Sequence, residues 1–316
     1  MSTSAHTTLF NTTYPIIMAP MFLISNAAMV KAALDHGITG AIPALNYRTD
    51  EEFRKAIDEI RAHTDKPFGI NLIVNKSNVK YKKQLQTCIE KRVDFIITSL
   101  GSPEECIQAA KPLGIKVFCD VIDLKYALKV QALGADAVIA VNAEAGGHCG
   151  NVSGKDLVPM LVEALNIPVI SAGGVSKSSD VKQALALGAA AVSVGTVFIA
   201  SDESPVSSDY KQALVDCGAK DIVLTTKMSG SHLTVINTPY VQSIGTEASW
   251  LERLMKRNKR LKKYIKMFIA LRGMKAIENA ANKATYKTVW VAGPSIEGVH
   301  AIDPVGTIAD RLTSDL

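Results

Sequence analysis

A repeated unit runs along most of this chain: a short apolar run rich in β-branched residues, then an amphipathic helical stretch, then a glycine stop. Four of the stops share one form, His36-Gly37-Ile38, Leu113-Gly114-Ile115, Leu133-Gly134-Ala135 and Leu187-Gly188-Ala189, and each leads directly into a new apolar run. Glycine takes the left-handed position after a helix without a Cβ penalty, and the chain then enters a strand. The unit predicts eight strands: Ile16–Pro20, Thr39–Pro43, Phe68–Val74, Phe95–Ser99, Lys116–Val121, Ala137–Val141, Val169–Ala172 and Ala191–Gly195. Helical patterns lie at Ala27–His36, Asp50–His63, Asn78–Lys91, Pro103–Leu113, Leu124–Leu133, Ser178–Leu187 and Ser208–Cys217. The strands are continuous apolar runs rather than alternating ones, as strands covered on both faces require. Eight units completed by about residue 217 predict a closed (β/α)8 TIM barrel, with an open doubly wound sheet as the competing topology.

The 316 residues suit one barrel with an addition. Residues 1–220 read as the barrel, 221–288 as a helical insertion or lid, and 289–316 as a C-terminal segment returning to the barrel. Within the insertion, Trp250–Ala281 reads as long basic helices without strands, a helical extension near the barrel mouth. A hydrophobic fraction of 47% supplies a core, and no apolar run approaches the roughly 18 residues of a membrane span. The N-terminus lacks a basic and apolar secretory pattern, so a cytoplasmic protein is expected. Five scattered cysteines without a C-x-x-C pair or zinc-ligand spacing read as reduced structural thiols, and no metal site is expected. The net charge of +5 is concentrated in Lys256, Arg257, Lys259, Arg260, Lys262, Lys263 and Lys266. That segment reads as a solvated helical face, with a docking surface for an acidic carrier protein as the alternative. Nucleic acid is not the expected partner, because only Tyr264 and Phe268 interleave the charges.

In a barrel the chemistry lies where strands end. The seventh predicted strand ends Ser171-Ala172-Gly173-Gly174 and the eighth Val194-Gly195-Thr196, where glycine lets backbone N–H groups approach a phosphate. A plain tight turn is the alternative reading of Gly-Gly. The sixth ends in Glu144-Ala145-Gly146-Gly147-His148-Cys149-Gly150-Asn151, whose three glycines predict a loop rather than helix or strand, with its backbone in close approach to another group. His148 in its middle suits general acid or base work, whereas Cys149 beside it reads as a bystander. The first strand's end, Met18-Ala19-Pro20-Met21, offers a flat, donor-poor surface for a ring system, and Asn71 a hydrogen bond to a polar ring edge. Asp120 reads as a cap for the next turn, with a functional carboxylate as the alternative.

The segments KPFGINL (66–72), EAGGHCG (144–150), IPVISAGGV (167–175), ALALGAAAVSVGTVFIA (184–200) and WVAGPSIEGVHAIDPV (290–305) resemble the nitronate monooxygenase family and its relative, flavin-dependent enoyl-acyl carrier protein reductase. The resemblance implies an FMN enzyme of the TIM-barrel class. It assigns the FMN phosphate to Ala172, Gly173, Gly174, Gly195 and Thr196, the ring and ribityl contacts to Ala19, Pro20, Met21 and Asn71, with Gly146 and Gly147 also against the cofactor, and the catalytic role to His148. It further implies oxidation of alkyl nitronates with O2 to a carbonyl compound and nitrite. NAD(P)H-dependent reduction of an enoyl thioester or a quinone is the alternative, and a phosphometabolite barrel without flavin a further one. Relatives are often homodimers. Three departures stand out. Met18-Ala19-Pro20-Met21 replaces Gln-Gly-Gly-Met or Gln-Gly-Pro-Met, Cys119-Asp120 stands where some relatives carry a lysine, and Ala292-Gly293-Pro294 replaces Ala-Gly-Gln. A carboxylate in place of a cation would alter the flavin's potential.

Overall fold

The computed structural model describes residues 9–226, 232–247 and 289–316. Eight parallel strands close into a barrel: β1 (Ile16–Met18), β2 (Thr39–Pro43), β3 (Gly69–Ile73), β4 (Phe95–Ser99), β5 (Lys116–Val121), β6 (Ala137–Val141), β8 (Val169–Ala172) and β9 (Ala191–Val194), with β9 pairing back onto β1. Helices α1 (Ala27–Asp35), α2 (Asp50–His63), α3 (Tyr81–Glu90), α4 (Glu104–Ala110), α5 (Leu124–Ala132), α6 (Gly154–Ala164) and α7 (Ser178–Ala186) alternate with the strands. The closed barrel is the predicted topology, and the open sheet is excluded. α6 is the helix the sequence reading passes over, because a glycine opens it and Pro159 lies inside it.

Local chemistry sets the helix starts. Thr49 caps α2 in a reciprocal box, its hydroxyl accepting from Glu52 N (3.2 Å) while Glu52 accepts from Thr49 N (3.3 Å). Asp123 caps α5 by accepting from Tyr126 N at 2.7 Å, so the cap expected of Asp120 belongs to its neighbour three residues on.

Along each strand successive side chains point to opposite faces. Ile17, Ala41, Phe95, Ile97, Phe118, Ala137, Ile139, Ile170, Ala172 and Ala191 pack together inside the barrel, while Ile16, Met18, Ile42, Ile70, Leu72, Ile96, Val117 and Val192 join the core shared with the helices. Gly69 is one of the inward positions: a Cβ there would lie 2.0 Å from the Phe95 ring, so glycine makes room for that ring. Phe10 closes the barrel bottom against Phe95 and Phe118, with ring centroids 5.8 and 5.7 Å away.

After β9 come α8 (Thr196–Ile199) and α9 (Ser208–Asp216), then two strands within the stretch expected to be helical, β10 (Ile222–Thr225) and β11 (Leu233–Ile236). They form an antiparallel hairpin whose outer partner is β7 (Gly147–His148), giving a three-stranded sheet β10-β11-β7 outside the barrel. The glycine-rich stretch is therefore a short strand at Gly147–His148 rather than loop throughout, because a distant hairpin supplies its hydrogen bonds. The short helix α10 (Pro239–Ile244) follows the hairpin. Ile236 N donates to Trp290 O at 2.8 Å, and the last helix, α11 (Val305–Thr313), packs against α1 and α7. The helices expected over Trp250–Ala281, including the basic run Lys256–Lys266, lie outside the described residues. No helix among the described residues is long and apolar enough to cross a membrane.

Candidate active site

The two glycine-bearing ends stand side by side, since β8 and β9 are neighbours with Ala172 opposite Ser193. Ala172 is buried, and its carbonyl accepts from Asn142 N at 3.0 Å. Gly173 and Gly174 both take left-handed conformations, at φ +118° and +81°. The protein itself demands the first of these, because a Cβ on Gly173 would lie 2.1 Å from Asn142 Oδ1 and 2.5 Å from Ala145 N. Gly195 differs. Its φ of −116° is open to any residue, and the nearest atoms a Cβ there would meet, on Ala19 and Met21, stand at ordinary contact distance, 3.6 Å. Among the described residues no acceptor pairs with the backbone N–H groups of Gly173, Gly174 and Gly195. Unpaired amides at adjacent strand ends, with a glycine the protein's own packing does not require, fit an anionic group such as a phosphate.

The first strand's end reaches the same place. Ala19 N donates to Val194 O at 2.8 Å, and Ser25 fastens the turn by donating to Ala19 O (2.9 Å) and accepting from Met21 N (2.8 Å). Ala19, Pro20 and Met21 thus lie half-buried against Gly195, with Met21 Sδ beside it. Thr196 is buried, and its hydroxyl accepts from Gly293 N at 3.0 Å, bringing the C-terminal segment to the mouth. Gly146 packs into this corner, where a Cβ would approach Thr196 Oγ1 to 2.7 Å and Gly293 N to 2.9 Å.

His148 is held from two sides. Its strand β7 pairs with β11, Leu233 opposite His148 and Thr234 opposite Gly147, and Thr234 Oγ1 donates to Ala145 O at 2.7 Å. Beneath it Asn142, buried just past the end of β6, gathers the loop: Oδ1 accepts from Glu144 N (2.9 Å), Nδ2 donates to Gly173 O (3.2 Å), and the backbone carbonyl accepts from Gly150 N (3.1 Å). One amide therefore ties the histidine loop to the Gly-Gly turn. His148 is exposed to solvent, yet enough protein surrounds the ring for desolvation to lower its imidazole pKa below the ordinary value. It is a neutral base at pH 7. Cys149 is buried, and burial pushes its thiol up, against a nucleophilic role.

On the far side, alternation turns Asn71, Ser99 and Asp120 of β3, β4 and β5 inward at the top of the barrel, in register with Ile97, Phe118 and their inward neighbours below. Asn71 Nδ2 donates to Ile97 O (3.2 Å) and to Ser99 Oγ (2.8 Å), and Ser99 Oγ donates to Asp120 Oδ2 (2.5 Å). Burial pushes the Asp120 carboxyl up to about 6, despite the opposing hydrogen bond from Ser99.

Ala19, Met21, Gly146, Ala172, Gly173, Gly195 and Thr196 share one corner of the barrel mouth with the His148 loop. Asn71 stands across from them. Sequence reasoning missed Asn142, Ser99 and Thr234. Counting parity along β4 and β5 from the phenylalanines would have turned Ser99 and Asp120 inward, whereas Thr234 carries no local signal. Among the described residues no three His, Cys, Asp or Glu side chains converge as metal ligands.

Comparison with known proteins identifies the family. The family model "Nitronate monooxygenase" matches residues 3–315. A (3aS,4S,5R,7aS)-5-hydroxy-7a-methyl-1-oxo-octahydro-1H-indene-4-carboxyl-CoA dehydrogenase of Rhodococcus jostii is 32% identical, over 76% of this chain and 67% of that one. A nitronate monooxygenase of Pseudomonas aeruginosa is 30% identical, over 72% and 78% respectively. The structure of FabK from Thermotoga maritima superposes with a TM-score of 0.85 at 30% identity, covering 99% of this chain and 96% of that one. With a family match from end to end and an enzyme's relatives on every side, the chain belongs to the nitronate monooxygenase family of oxidoreductases.

Proposed function

We propose that the protein is an FMN-dependent oxidoreductase. The observation that carries this reading is the set of unpaired amides at Gly173, Gly174 and Gly195, beside a glycine that protein packing alone does not require. Those amides would hold the phosphate, with Thr196 supporting the corner through Gly293. The half-buried Ala19-Pro20-Met21 surface would take the ring face, and Asn71 a polar edge across the mouth. FMN, when bound, supplies two-electron transfer to or from the substrate's reacting carbon. The chain's own task is to bind, orient and manage one proton. A neutral His148 takes a proton at an imidazole nitrogen, or holds the polar group attached to the reacting carbon by donating from that nitrogen. The hairpin β10–β11 holds the His148 backbone in place through strand pairing, so little backbone freedom is lost when substrate arrives.

The family name supports oxidation of an alkyl nitronate with O2 to a carbonyl compound and nitrite. A second reading, NAD(P)H-linked redox chemistry on an acyl thioester, is favoured by a specific observation: the inward carboxylate of Asp120, which no described cation offsets, disfavours an anionic substrate such as a nitronate. The 32% identical carboxyl-CoA dehydrogenase supports the same direction. Anaerobic mixing of the purified holoprotein with propyl nitronate, NADH or NADPH separates the two. Bleaching of the flavin absorbance by the nitronate alone supports the monooxygenase, and bleaching by a nicotinamide supports the thioester reading. A protein that takes up no flavin defeats both.

A further inference from the structure

Asn71, Ser99 and Asp120 form a hydrogen-bonded chain whose direction the structure determines. A backbone carbonyl only accepts, so the Asn71 atom facing Ile97 O is the amide nitrogen. The same nitrogen faces Ser99 Oγ, which therefore accepts and turns its single proton toward Asp120. Asp120 is the terminal acceptor, and its second oxygen takes no hydrogen bond from a described residue. One consequence concerns Asn71: both amide protons are spent on β4, so its carbonyl oxygen is the atom left to present to a ligand.

The position of this chain follows from strand order. Around the barrel β3, β4 and β5 lie opposite β8 and β9. A ligand anchored by phosphate at the β8 and β9 ends and extending across the mouth thus brings its other end over Asn71, Ser99 and Asp120. Leu100 and Ile122, which directly follow β4 and β5, are 49% and 46% exposed, so the rim on this side carries apolar side chains in reach of solvent. No lysine or arginine among the described residues pairs with Asp120.

We propose that Asp120 is a positioning residue for the cofactor: through Ser99 it fixes the Asn71 amide with its oxygen toward the ring, and its negative charge makes the mouth hold the reduced ring in the uncharged rather than the anionic form. The inference rests on the FMN reading and adds to it which charge state the site favours. A mouth of this kind gives up electrons as hydride to a neutral acceptor more readily than it collects them from an anion. The groups facing Asp120 do not mask the effect between pH 5 and 8. Asn71 and Ser99 do not titrate there, burial pushes the adjacent Cys119 thiol up to about 12, and Tyr126 of α5 is also raised. His148, on β7, does titrate from a lowered value, and it is unchanged in the comparison that follows.

The reduction potential of bound FMN, measured against reference dyes in the wild-type holoprotein and in Asp120→Asn at pH 8 and pH 5, tests the proposal. At pH 8 the variant should hold reduced relative to oxidised FMN at least tenfold more tightly than the wild type, a rise of about 30 mV for a two-electron couple. At pH 5, where Asp120 has taken up its proton, the gap should close. Asp120→Ser, a smaller neutral variant, must give the same rise at pH 8 and covers the case in which the first variant folds poorly. Equal potentials at pH 8, a gap that persists at pH 5, or disagreement between the two neutral variants overturns the proposal. A protein without a flavin spectrum overturns the FMN reading instead, so the two failures are told apart.

Discussion

The two ends of the barrel are built from opposite materials. At the closed end Phe10, Phe95 and Phe118 fill the bore, with the Phe95 and Phe118 centroids 5.0 Å apart, and Gly69 is there to admit a ring. At the open end the upper strand positions and the residues just past them are Ala19, Asn71, Ser99, Asp120, Ala172 and Gly195, small or polar residues, several of which hydrogen-bond sideways between strands. One end spends its side chains on apolar packing and the other leaves amides and one carboxylate facing the mouth. In a barrel, residues at the bottom govern stability and residues at the top govern chemistry.

The comparison makes predictions that would break it if they failed. The largest effect belongs to the closed end: Phe118→Ala should cost about 3–5 kcal/mol in denaturant unfolding, while the folded fraction keeps its flavin content. At the open end, His148→Ala should lower turnover by about 100-fold to 10,000-fold with unfolding midpoint and flavin content unchanged. Survival of turnover would remove His148 from the catalytic role. Gly195→Asp should weaken FMN binding by at least about 100-fold, since each 1.4 kcal/mol is tenfold and the change puts a side chain and a negative charge beside the phosphate. Because the backbone there is unstrained and the nearest atoms stand at 3.6 Å, its unfolding midpoint should move little. Gly173→Ala is the contrasting variant: with Asn142 Oδ1 2.1 Å from the new carbon, it should destabilise the protein whether or not flavin is present.

The smallest effect concerns stability against pH. Asp120 has a folded pKa raised to about 6 from 3.8, so the folded state holds this proton more tightly than the unfolded chain does. Its favourable contribution is complete below pH 3.8 and is lost as pH rises through 6. Asp120→Asn should therefore be more stable than the wild type by about 1 kcal/mol at pH 8, after allowance for partial solvent screening, with the advantage gone at pH 4. Urea midpoints across that range check the sign.

The barrel was legible because its signals are local. Each strand is a run of apolar residues, each glycine stop sits beside it, and the observed strands fall inside the predicted ranges, trimmed where β1 ends at Met18 and β9 at Val194. Most of the candidate site was legible for the same reason, since Gly173-Gly174 and Gly195-Thr196 directly follow strands and the His148 stretch lies in the connection after β6. What could not be seen depends on distant partners. Gly147–His148 becomes a strand only because β11 pairs with it, and the residues around Leu233 give no sign of that partner. Asn142 looks like any polar residue after a strand until the loop folds back over it. Asp120 resembled a cap because Asp123, three residues on, performs that task with the same kind of side chain.

Flavin titration of the apoprotein, with FMN and riboflavin compared in the wild type and in Gly195→Asp, tests the central claim most directly. The account predicts that the wild type binds FMN at least about 100-fold more tightly than riboflavin, which lacks the phosphate, and that Gly195→Asp abolishes this preference. Equal affinity for the two flavins in the wild type, or a preference that survives the substitution, would contradict a phosphate site at the ends of β8 and β9.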